Sequence, residues 1–461
     1  MGSKWKRVTV ADVCTSIVDC VNKTAPVVEY PTNYKMIRTP NIRSGKVTLD
    51  GCRYVEKEVY ETWTRRSKPQ KEDVLLTREA PLGEVGIITT DENIFLGQRI
   101  MQYRADKNKI DPYFLLYSFL SPDLQQQFLM HEGSGSVVSH IRVGDCSKFE
   151  INIPPLEVQR SIVEILKSID DHIDVNKKIN QTLEQMSQTL FKSWFVDFDP
   201  VIDNALDAGN PIPEVLQSRA ELRQKLRNSA DFKSLPADIR ALFPAEFEET
   251  ELGCVPKGWL LESVAKSINI NPTVRLPKNT VAKYVDMKSL PTQGYSISDI
   301  IEKPYSGGAK FQKKDTLFAR ITPCLENGKT GFVDFLDENE TAFGSTEFIV
   351  MRGTTKVHYT YVACLARENH FRLHAIQNMV GSSGRQRVQN SCFDSFFIAI
   401  PTLSVMSLFA GKVSSFFDKM NCCNLENKAL TALRDTLLPK LISGELSLED
   451  LPDLIKQTEA A

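Results

Sequence analysis

The feature that most constrains the fold is an internal repeat, in which the second half of the chain echoes the first at a distance of about 245 residues. Residues 71–78 read Lys-Glu-Asp-Val-Leu-Leu-Thr-Arg, and residues 313–320 read Lys-Lys-Asp-Thr-Leu-Phe-Ala-Arg, at an offset of 242. Residues 133–136 match residues 381–384 later in each copy. A register that holds over about 120 residues while the offset drifts indicates two duplicated domains with small insertions.

Each copy has two parts, a globular region of about 150 residues and a long helix that follows it. The globular regions contain short β-rich runs, such as 85–88 and 347–351, separated by turn residues and mixed with short helical stretches. An Ile-Pro step precedes each long helix, at 153–154 and at 400–401, and proline favours helix starts. The predicted fold class is α+β, with two globular α/β domains joined and spaced by two long antiparallel helices in a pseudo-twofold repeat.

The long helices are predicted at about residues 156–195 and 405–442, because apolar residues recur there at alternating spacings of three and four. A helix of ~40 residues is ~60 Å long, so an antiparallel pair would form a rigid rod with one globular domain near each end. His172 and Asn176 interrupt the first seam. The seams consist of Ile162, Ile165, Ile169, Ile179, Leu183, Met186 and Leu190 in the first helix, and of Phe409, Phe416, Met420, Leu430, Leu433 and Leu437 in the second. Eight residues are predicted to pair the helices or to dock partner subunits: Ile169, Ile179, Leu183, Leu190, Phe416, Met420, Leu430 and Leu437.

Charge is distributed unevenly along the chain, although the formal net charge is only -2. Residues 196–255 are rich in turn formers and carry 12 acidic and 6 basic residues, whereas the flanking globular regions count +2 and +5. Mildly basic domains are a weak sign of DNA contact. The predicted divisions are a first globular domain (1–153), a first long helix (154–195), an acidic proline-containing linker (196–255), a second globular domain (256–400), a second long helix (401–445) and a C-terminal tail (446–461).

Composition excludes several classes of protein. The chain is 42% hydrophobic and 25% charged, which is typical of globular proteins. No run of about 18 apolar residues occurs and residues 1–15 lack an apolar signal core, so we expect a cytoplasmic protein with no membrane contact. The ten cysteines include no CxxC motif, which argues against a disulfide framework or a zinc finger.

Catalytic motifs are also missing from the sequence. Residues 323–330 end in Gly-Lys-Thr, but proline replaces the first P-loop glycine and the phosphate cradle is lost. His370 and His374 have helical spacing, yet no HExxH glutamate accompanies them. Neither GxSxG nor an Asn-Pro-Pro-Tyr or Asp-Pro-Pro-Tyr tetrapeptide of amino-methyltransferases occurs. The sequence therefore predicts a binding protein with no catalytic residues, no cofactor of its own and no metal site.

Polar, glycine-rich elements at equivalent positions are the candidates for recognition. Arg78 and Arg320 end equivalent strands, and arginine can bridge O6 and N7 of guanine; the alternative is a surface salt bridge. Residues 97–99 and 344–346 form a second equivalent pair. Serine hydroxyls in glycine-rich loops suit phosphates, while arginine and glutamine suit bases; the alternative is a solvated loop. The predicted DNA-contacting residues are Arg78, Gln98, Arg99, Ser134, Ser136, His140, Arg320, Ser345, Thr346, Ser382, Ser383, Arg385, Gln386 and Arg387.

The layout and several sequence phrases resemble the specificity (S) subunits of type I restriction-modification systems. The most specific match is Ile-Pro-Pro-Leu-Glu-Val-Gln-Arg at 153–160, followed by a heptad helix and by Phe-Lys-Ser-Trp-Phe-Val-Asp-Phe at 191–198. The second copy ends in Leu-Leu-Pro-Lys-Leu-Ile-Ser-Gly-Glu-Leu at 437–446, which is typical of the family. The resemblance covers about residues 3–446.

The resemblance implies two target recognition domains, each reading one half of a bipartite site in double-stranded DNA. It implies that the long helices set the spacing and dock two methyltransferase (M) subunits, which bring S-adenosylmethionine and methylate adenine. Restriction (R) subunits would add cleavage that depends on ATP and Mg. The S subunit itself would have no catalytic centre.

Two alternatives stay open at the level of sequence. A coiled-coil scaffold that joins other proteins would bind no specific DNA sequence, and a fused methyltransferase would transfer methyl groups alone. Within the favoured class, DNA binding could require the M subunits, since the net charge is slightly negative. The chain also departs from strict symmetry, because Gln159 and Arg160 have no polar counterparts in the second copy.

Overall fold

The computed structural model describes residues 5–130, 140–230, 232–382 and 384–449. The chain forms two compact units, which we call unit 1 (residues 1–173 and 428–461) and unit 2 (residues 174–427). The division falls inside both long helices, Leu156–Phe191 and Leu403–Ser443. Each unit therefore combines one globular region with a part of each helix.

Unit 1 begins with short strands and helices that lead to the first long helix. In chain order its elements are β1 (Lys6–Thr9), α1 (Val10–Val13), β2 (Cys14–Asp19), β3 (Tyr34–Ile37), β4 (Ile42–Arg43), β5 (Gly45–Val47), β6 (Arg53–Tyr54), α2 (Lys57–Trp63), β7 (Val74–Thr77), β8 (Val85–Ile87), β9 (Asn93–Leu96), β10 (Ile100–Ala105), α3 (Pro112–Leu120), α4 (Pro122–Met130), β11 (Glu150–Ile153) and α5 (Leu156–Phe191).

The main sheet of unit 1 has the strand order β2-β10-β7-β8-β5-β4. Its strand β7 is buried along its whole length, as expected for the apolar run Val-Leu-Leu-Thr of a central strand. A smaller sheet, β6-β3-β9, pairs β3 parallel to β9, and β1 pairs with β11 just before the long helix. Helix α3 starts at Pro112, where the Asp111 carboxylate accepts the backbone N–H of Tyr113 at 2.8 Å.

The core of unit 1 joins α3 to both long helices. Phe114 and Phe119 of α3 are fully buried together with Leu166 of α5 and Leu441 near the end of the second long helix. The beginning of the first long helix thus lies against the end of the second, which is antiparallel pairing.

Unit 2 starts inside α5 and continues through the spacer into the second globular region. Its further elements are α6 (Asp199–Ala208), α7 (Gln217–Arg227), α8 (Ala237–Arg240), β12 (Phe247–Thr250), β13 (Gly253–Pro256), β14 (Leu260–Ser263), α9 (Val264–Ser267), β15 (Asn269–Ile270), β16 (Val281–Val285), β17 (Ile301–Pro304), β18 (Ala309–Gln312), β19 (Thr316–Ala319), β20 (Thr330–Phe332), β21 (Thr341–Gly344), β22 (Phe348–Arg352), α10 (Tyr359–Arg367), α11 (Asn369–Gln377), β23 (Met379–Val380), β24 (Arg387–Val388), β25 (Phe397–Ile400) and α12 (Leu403–Ser443).

The sheets of unit 2 repeat the connections of unit 1. The order β15-β22-β19-β20 corresponds to β2-β10-β7-β8, β16 pairs parallel to β21 as β3 does to β9, and β14 pairs with β25 as β1 does with β11. The duplicated α+β fold predicted from the sequence repeat is therefore confirmed.

In unit 2 the long helices pack through aromatic and aliphatic side chains. Phe191 of α5 contacts Phe409 of α12, with ring centroids 6.3 Å apart, and Leu183 and Leu190 pack on the same core. Here the end of α5 lies against the beginning of α12, so the predicted antiparallel pairing holds in both units. After α5 a π-helical turn, Lys192–Val196, continues the chain.

The predicted helix seams are right in outline and wrong at individual positions. Of two adjacent phenylalanines in α12, Phe417 is buried, whereas the predicted Phe416 is half-buried. Met186 was predicted in the seam but is 48% exposed. Of the other predicted positions, Ile169, Met420 and Leu437 are buried and Ile179, Leu183, Leu190 and Leu430 are half-buried.

The acidic spacer is folded and carries a ladder of ion pairs between α6 and α7. Asp199 binds Arg219 at 2.7 and 2.8 Å, Asp203 binds Arg223, and Asp207 binds Arg227. Because the partners stay twenty residues apart, the two helices run side by side in the same direction. Two of these aspartates, Asp199 and Asp203, are buried, so the arginines compensate carboxylates that would otherwise oppose folding.

Candidate functional site

Three loops of unit 1 meet at the end of strand β7. The backbone N–H of Arg78 donates to the carbonyl oxygen of Arg99 at 2.8 Å, and the carbonyl of Arg78 accepts the N–H of Ile141 at 2.9 Å. The Arg78 side chain donates through Nη1 to the Ile141 carbonyl at 3.2 Å. The loop after β7, the β9–β10 loop and the segment at 140–141 therefore form one cluster, which we call the loop cluster of unit 1.

Unit 2 contains the same arrangement at the end of strand β19. The N–H of Arg320 donates to the carbonyl of Glu347 at 3.0 Å, and the carbonyl of Arg320 accepts the N–H of Val388 at 2.9 Å. The Arg320 side chain donates through Nη2 to the Val388 carbonyl at 2.8 Å. These contacts define the loop cluster of unit 2, formed by the loop after β19, the β21–β22 loop and the segment around β24.

The shared hydrogen bonds correct the alignment expected from the sequence. The sequence predicts that residues 97–99 and 344–346 are equivalent, yet Glu347 makes the contact that Arg99 makes in unit 1. The two loops have the same length, 97–99 and 345–347, so the offset here is 248 and not 247. By the same test Ile141 corresponds to Val388, which places His140 opposite Arg387.

Arg78 and Arg320 are half-buried and hold the clusters together. Each uses part of its guanidinium to bind a backbone carbonyl of the third loop, and the Nε of each is buried without a hydrogen-bond partner in the described structure. Their first role is to position the loops. A direct contact with a base remains a prediction for both.

An arginine–glutamate ion pair lies in each cluster, but with the partners exchanged. In unit 1, Arg99 of the β9–β10 loop pairs with Glu79. In unit 2, Glu347 of the β21–β22 loop pairs with Arg387, whose Nε and Nη2 approach the carboxylate at 2.7–3.0 Å. This pairing holds the pKa of the Arg387 guanidinium above its ordinary value. The two clusters thus share a frame and present different charges at matching positions.

The other predicted residues of unit 2 lie in or beside the same cluster. The Ser345 hydroxyl accepts the N–H of Glu347 at 3.2 Å, Thr346 is exposed, and the N–H of Gln386 donates to the Thr322 hydroxyl at 3.1 Å. Ser382 and Arg385 form an adjoining exposed turn, joined by a backbone hydrogen bond of 3.0 Å. In unit 1, Gln98 is half-buried beside Arg99. Three predicted residues lie outside the described residues: Ser134, Ser136 and Ser383.

An open depression beside the cluster of unit 2 adds residues that the sequence did not single out. Arg320 and Thr346 line it together with Asn271 and Lys310. Asn271 is fixed there, because its side-chain oxygen accepts the N–H of Val350 at 2.9 Å. Lys310 follows a Gly-Gly turn and carries no motif, so only the tertiary fold brings it to this place.

A half-buried arginine holds together the loops next to this cluster. The Arg367 guanidinium donates to the carbonyls of Thr292 (2.9 Å), Gly328 (2.8 Å) and Thr330 (2.7 Å), and also to those of Pro291 and Gly294. Burial lowers the pKa of Arg367 below its ordinary value. No sequence motif announced this role, since its acceptors are backbone atoms from two separate loops.

Among the residues that the structure describes, no three His, Cys, Asp or Glu side chains are grouped closely enough to hold a metal ion. None of the described helices combines the length and the apolar character needed to cross a bilayer.

Comparisons with known proteins agree with this geometry. Residues 2–185 match the model of the "Type I restriction modification DNA specificity domain" family. The chain is 26% identical over 402 residues to the type I restriction enzyme HindI specificity subunit of Haemophilus influenzae, covering 82% of this chain and 87% of that protein. It is 25% identical over 392 residues to the MjaIX specificity subunit of Methanocaldococcus jannaschii, covering 83% and 79%.

A solved structure has the same fold. The S subunit of a type I restriction-modification system from M. genitalium superposes with a TM-score of 0.51, at 13% identity, and the match covers 95% of this chain and 96% of that one. At this identity the likeness supports the architecture alone.

Proposed function

Because this chain belongs to the specificity subunits of type I restriction-modification systems, we propose that its two loop clusters each read one half of a split site in double-stranded DNA. The observation that carries the proposal is the duplicated frame with different side chains. Arg99 and His140 in unit 1 stand where Glu347 and Arg387 stand in unit 2. The shared backbone frame would place both clusters against the DNA groove in the same way. The different side chains at matching positions would then read different bases.

Within each cluster, roles follow from chemistry. Arginine and glutamine side chains suit base edges, which assigns that role to Gln98, Gln386 and the cluster arginines. Hydroxyls and exposed cations on the rim suit phosphates, which assigns that role to Thr346, Ser382 and Arg385, and to Lys310 in the depression.

The long helices are proposed to set the distance between the half-sites. Asn176 of α5 donates to the side chain of Asn427 of α12 at 3.0 Å, and Asn180 donates to Asn424 at 2.7 Å. Polar pairs within a helix seam fix the register, because a slipped pair would leave buried amides unsatisfied. With a fixed register, the helices permit half-site centres at one separation, about one turn of DNA or ~34 Å.

Partner subunits complete the activity. As a specificity subunit the chain is not an enzyme, and it works with DNA and with the M and R subunits. We assign S-adenosylmethionine and adenine methylation to two M subunits, ATP and Mg to the R subunits, and the cytoplasm as the place of action. Ile169, Met420 and Leu437 are buried in helix pairing, so docking falls to apolar residues that remain exposed on the same helices, such as Val175 and Leu425.

The test is genome-wide mapping of adenine methylation in cells that carry this chain with its M partner, compared with cells that lack the chain. The proposal expects a new bipartite motif with a non-specific spacer of fixed length. An active M partner that yields no motif in the presence of this chain would contradict the proposal and favour a scaffold without sequence-specific DNA binding.

A further inference from the structure

We propose that Arg387 in unit 2 and Arg99 in unit 1 each read a guanine of their own half-site, and that Glu347 and Glu79 hold these arginines in position to do so. The inference rests on the proposed function, since it assumes that the loop clusters face DNA. It adds which side chain discriminates between bases, and it gives the neighbouring carboxylates a positioning role.

The contact geometry leaves the reading end of Arg387 available. Glu347 binds the side edge of the guanidinium, with Nε 2.9 and 3.0 Å from its two oxygens and Nη2 2.7 Å from one of them. Nη1 makes one long hydrogen bond, 3.5 Å, to the Arg385 carbonyl. A guanidinium has five N–H groups, so one N–H on Nη1 and one on Nη2 remain at the far end. That end forms the fork which fits O6 and N7 of guanine. The Arg387 side chain is 41% exposed, so a base can reach it.

The backbone of Glu347 is anchored to the frame of the cluster. The Glu347 carbonyl accepts the N–H of Arg320, and its own N–H donates to the Ser345 hydroxyl. On the other side, Arg387 is tied by an antiparallel bridge to Ile321. A flexible arginine held at both backbone and side chain loses less conformational freedom on binding, which increases both affinity and selectivity.

Charge separates this role from a simple phosphate contact. The ion pair of a guanidinium and a carboxylate has no net charge, so together they add little to the sequence-independent attraction for the DNA backbone. Its directional N–H donors remain. An ion pair at this place is therefore suited to reading a base edge and poorly suited to neutralising a phosphate.

The exchange of partners between the units has a consequence for the recognised site. Arg99 occupies the position of Glu347, and its partner Glu79 lies on the loop after β7. In unit 1 the guanidinium therefore comes from the β9–β10 loop, whereas in unit 2 it comes from β24. The two half-sites should carry their arginine-read guanine at different positions relative to the shared frame.

The experiment maps methylation motifs for the complete complex with its M subunits, using wild type and conservative variants. Arg387→Lys keeps the charge but lacks the fork, and Glu347→Gln removes the positioning carboxylate while leaving Arg387 in place. Arg99→Lys is the counterpart in unit 1. The control is Lys356→Gln, which breaks an exposed ion pair with Glu262 beyond the opposite end of β22.

We expect Arg387→Lys to lower discrimination about tenfold or more at one G·C pair of one half-site, with the other half-site unchanged. Glu347→Gln should relax the same base pair to a smaller extent, Arg99→Lys should act on the other half-site, and Lys356→Gln should leave the motif intact. Rescue of guanine preference in Glu347→Asp would support the positioning role.

Three results would overturn the inference while leaving the proposed function standing. They are a wild-type motif with no G·C pair in a half-site, a uniform loss of methylation at an unchanged motif in Arg387→Lys, and relaxation of both half-sites by one variant. Thermal melting checks that the variants fold. If Arg387→Lys lowers the melting temperature, the inference is judged by Glu347→Gln, which should relax the same base pair. A wild-type complex that gives no motif at all contradicts the proposed function instead.

Discussion

The Asp315 carboxylate receives two hydrogen bonds from the Arg352 guanidinium, each 2.7 Å long, between the start of β19 and the end of β22. The side chain of Asp315 is fully buried and also accepts the N–H of Gln312 at 2.7 Å. Unit 1 repeats the relationship between Asp73 and Arg104, at 2.9 and 2.8 Å. The same ion pair therefore stabilises the central strands of both units.

We expect Asp315→Asn to destabilise unit 2, and Asp73→Asn to destabilise unit 1, by about 2–3 kcal/mol each. Removing one charge of a buried pair costs about 3–5 kcal/mol, and the partly exposed arginines reduce the loss. Hydrogen exchange, read separately for peptides from each unit, measures the effect. Glu157→Gln, which breaks an exposed pair with Arg160, should change little. Equal loosening of both units by one variant would contradict the assignment.

Lengthening the helix pair should change the spacing of the DNA site. One heptad added to both α5 and α12 at the division between the units lengthens the pair by about 10 Å, or about three base pairs. We expect a longer non-specific spacer and unchanged half-site bases in the methylation motif. A heptad in α5 alone should abolish methylation, because the seams no longer match. Altered half-site bases in the double insertion would refute a spacing role for the helices.

The end of α12 should tolerate no side chain at Gly444. This residue has a φ of +75°, and an added Cβ would lie 3.1 Å from the Trp5 ring. Gly444→Ala should therefore destabilise unit 1 by about 1–2 kcal/mol, from backbone strain and from the displaced indole. Gly209→Ala is the matched control, because its φ is +70° with nothing within 4 Å. Thermal melting of both variants measures the loss of stability. An equal loss in Gly209→Ala would contradict the role given to the Trp5 contact.

A half-buried carboxyl group gives unit 2 a pH-dependent weakness. Partial burial raises the pKa of Asp334 from 3.8 to about 6, against smaller opposing effects of a backbone hydrogen bond and of Lys313. Between these values the folded state keeps a proton that the unfolded state has lost, so this contribution to stability is present below pH ~4 and is lost as the pH rises through ~6.

Asp334→Asn should therefore stabilise unit 2 above pH 7, by about 2 kcal/mol, and have progressively less effect toward pH 4. Melting curves at several pH values measure the gain. The exposed Asp418 on α12 provides the control, because Asp418→Asn should leave the pH profile unchanged. A gain that is independent of pH would point to packing and not to the charge.

Much of the fold was predictable because it depends on repeated local patterns. The phrase at 71–78 and 313–320 contains Asp73 and Asp315, and both form the same buried ion pair. The bounds of the first long helix were predicted to within its final π-helical turn. The ion-pair ladder in the spacer also has a pattern in the sequence, because its aspartates and its arginines each recur at a spacing of four.

The sequence predictions were wrong where tertiary packing determines which of two similar positions is buried or equivalent. Phe416 and Phe417 are adjacent, and the slow drift between a heptad seam and a 3.6-residue turn determines which one is buried. The exchange of Arg99 for Glu347 was hidden because the offset between the copies drifts, from 242 at β7 and β19 to 248 at this loop. Arg78, Arg320 and Arg367 bind backbone carbonyls, which are present at every position and leave no trace in a sequence.

The composition of unit 1 from two distant stretches of chain has a consequence for synthesis on the ribosome. Its core needs Leu437 and Leu441, which emerge after every residue of unit 2 has been translated. The domain that is made first is therefore the one that finishes folding last. A chain terminated shortly after residue 427 would release a complete unit 2 joined to an open unit 1, whose unfilled apolar surface invites chaperones and proteases.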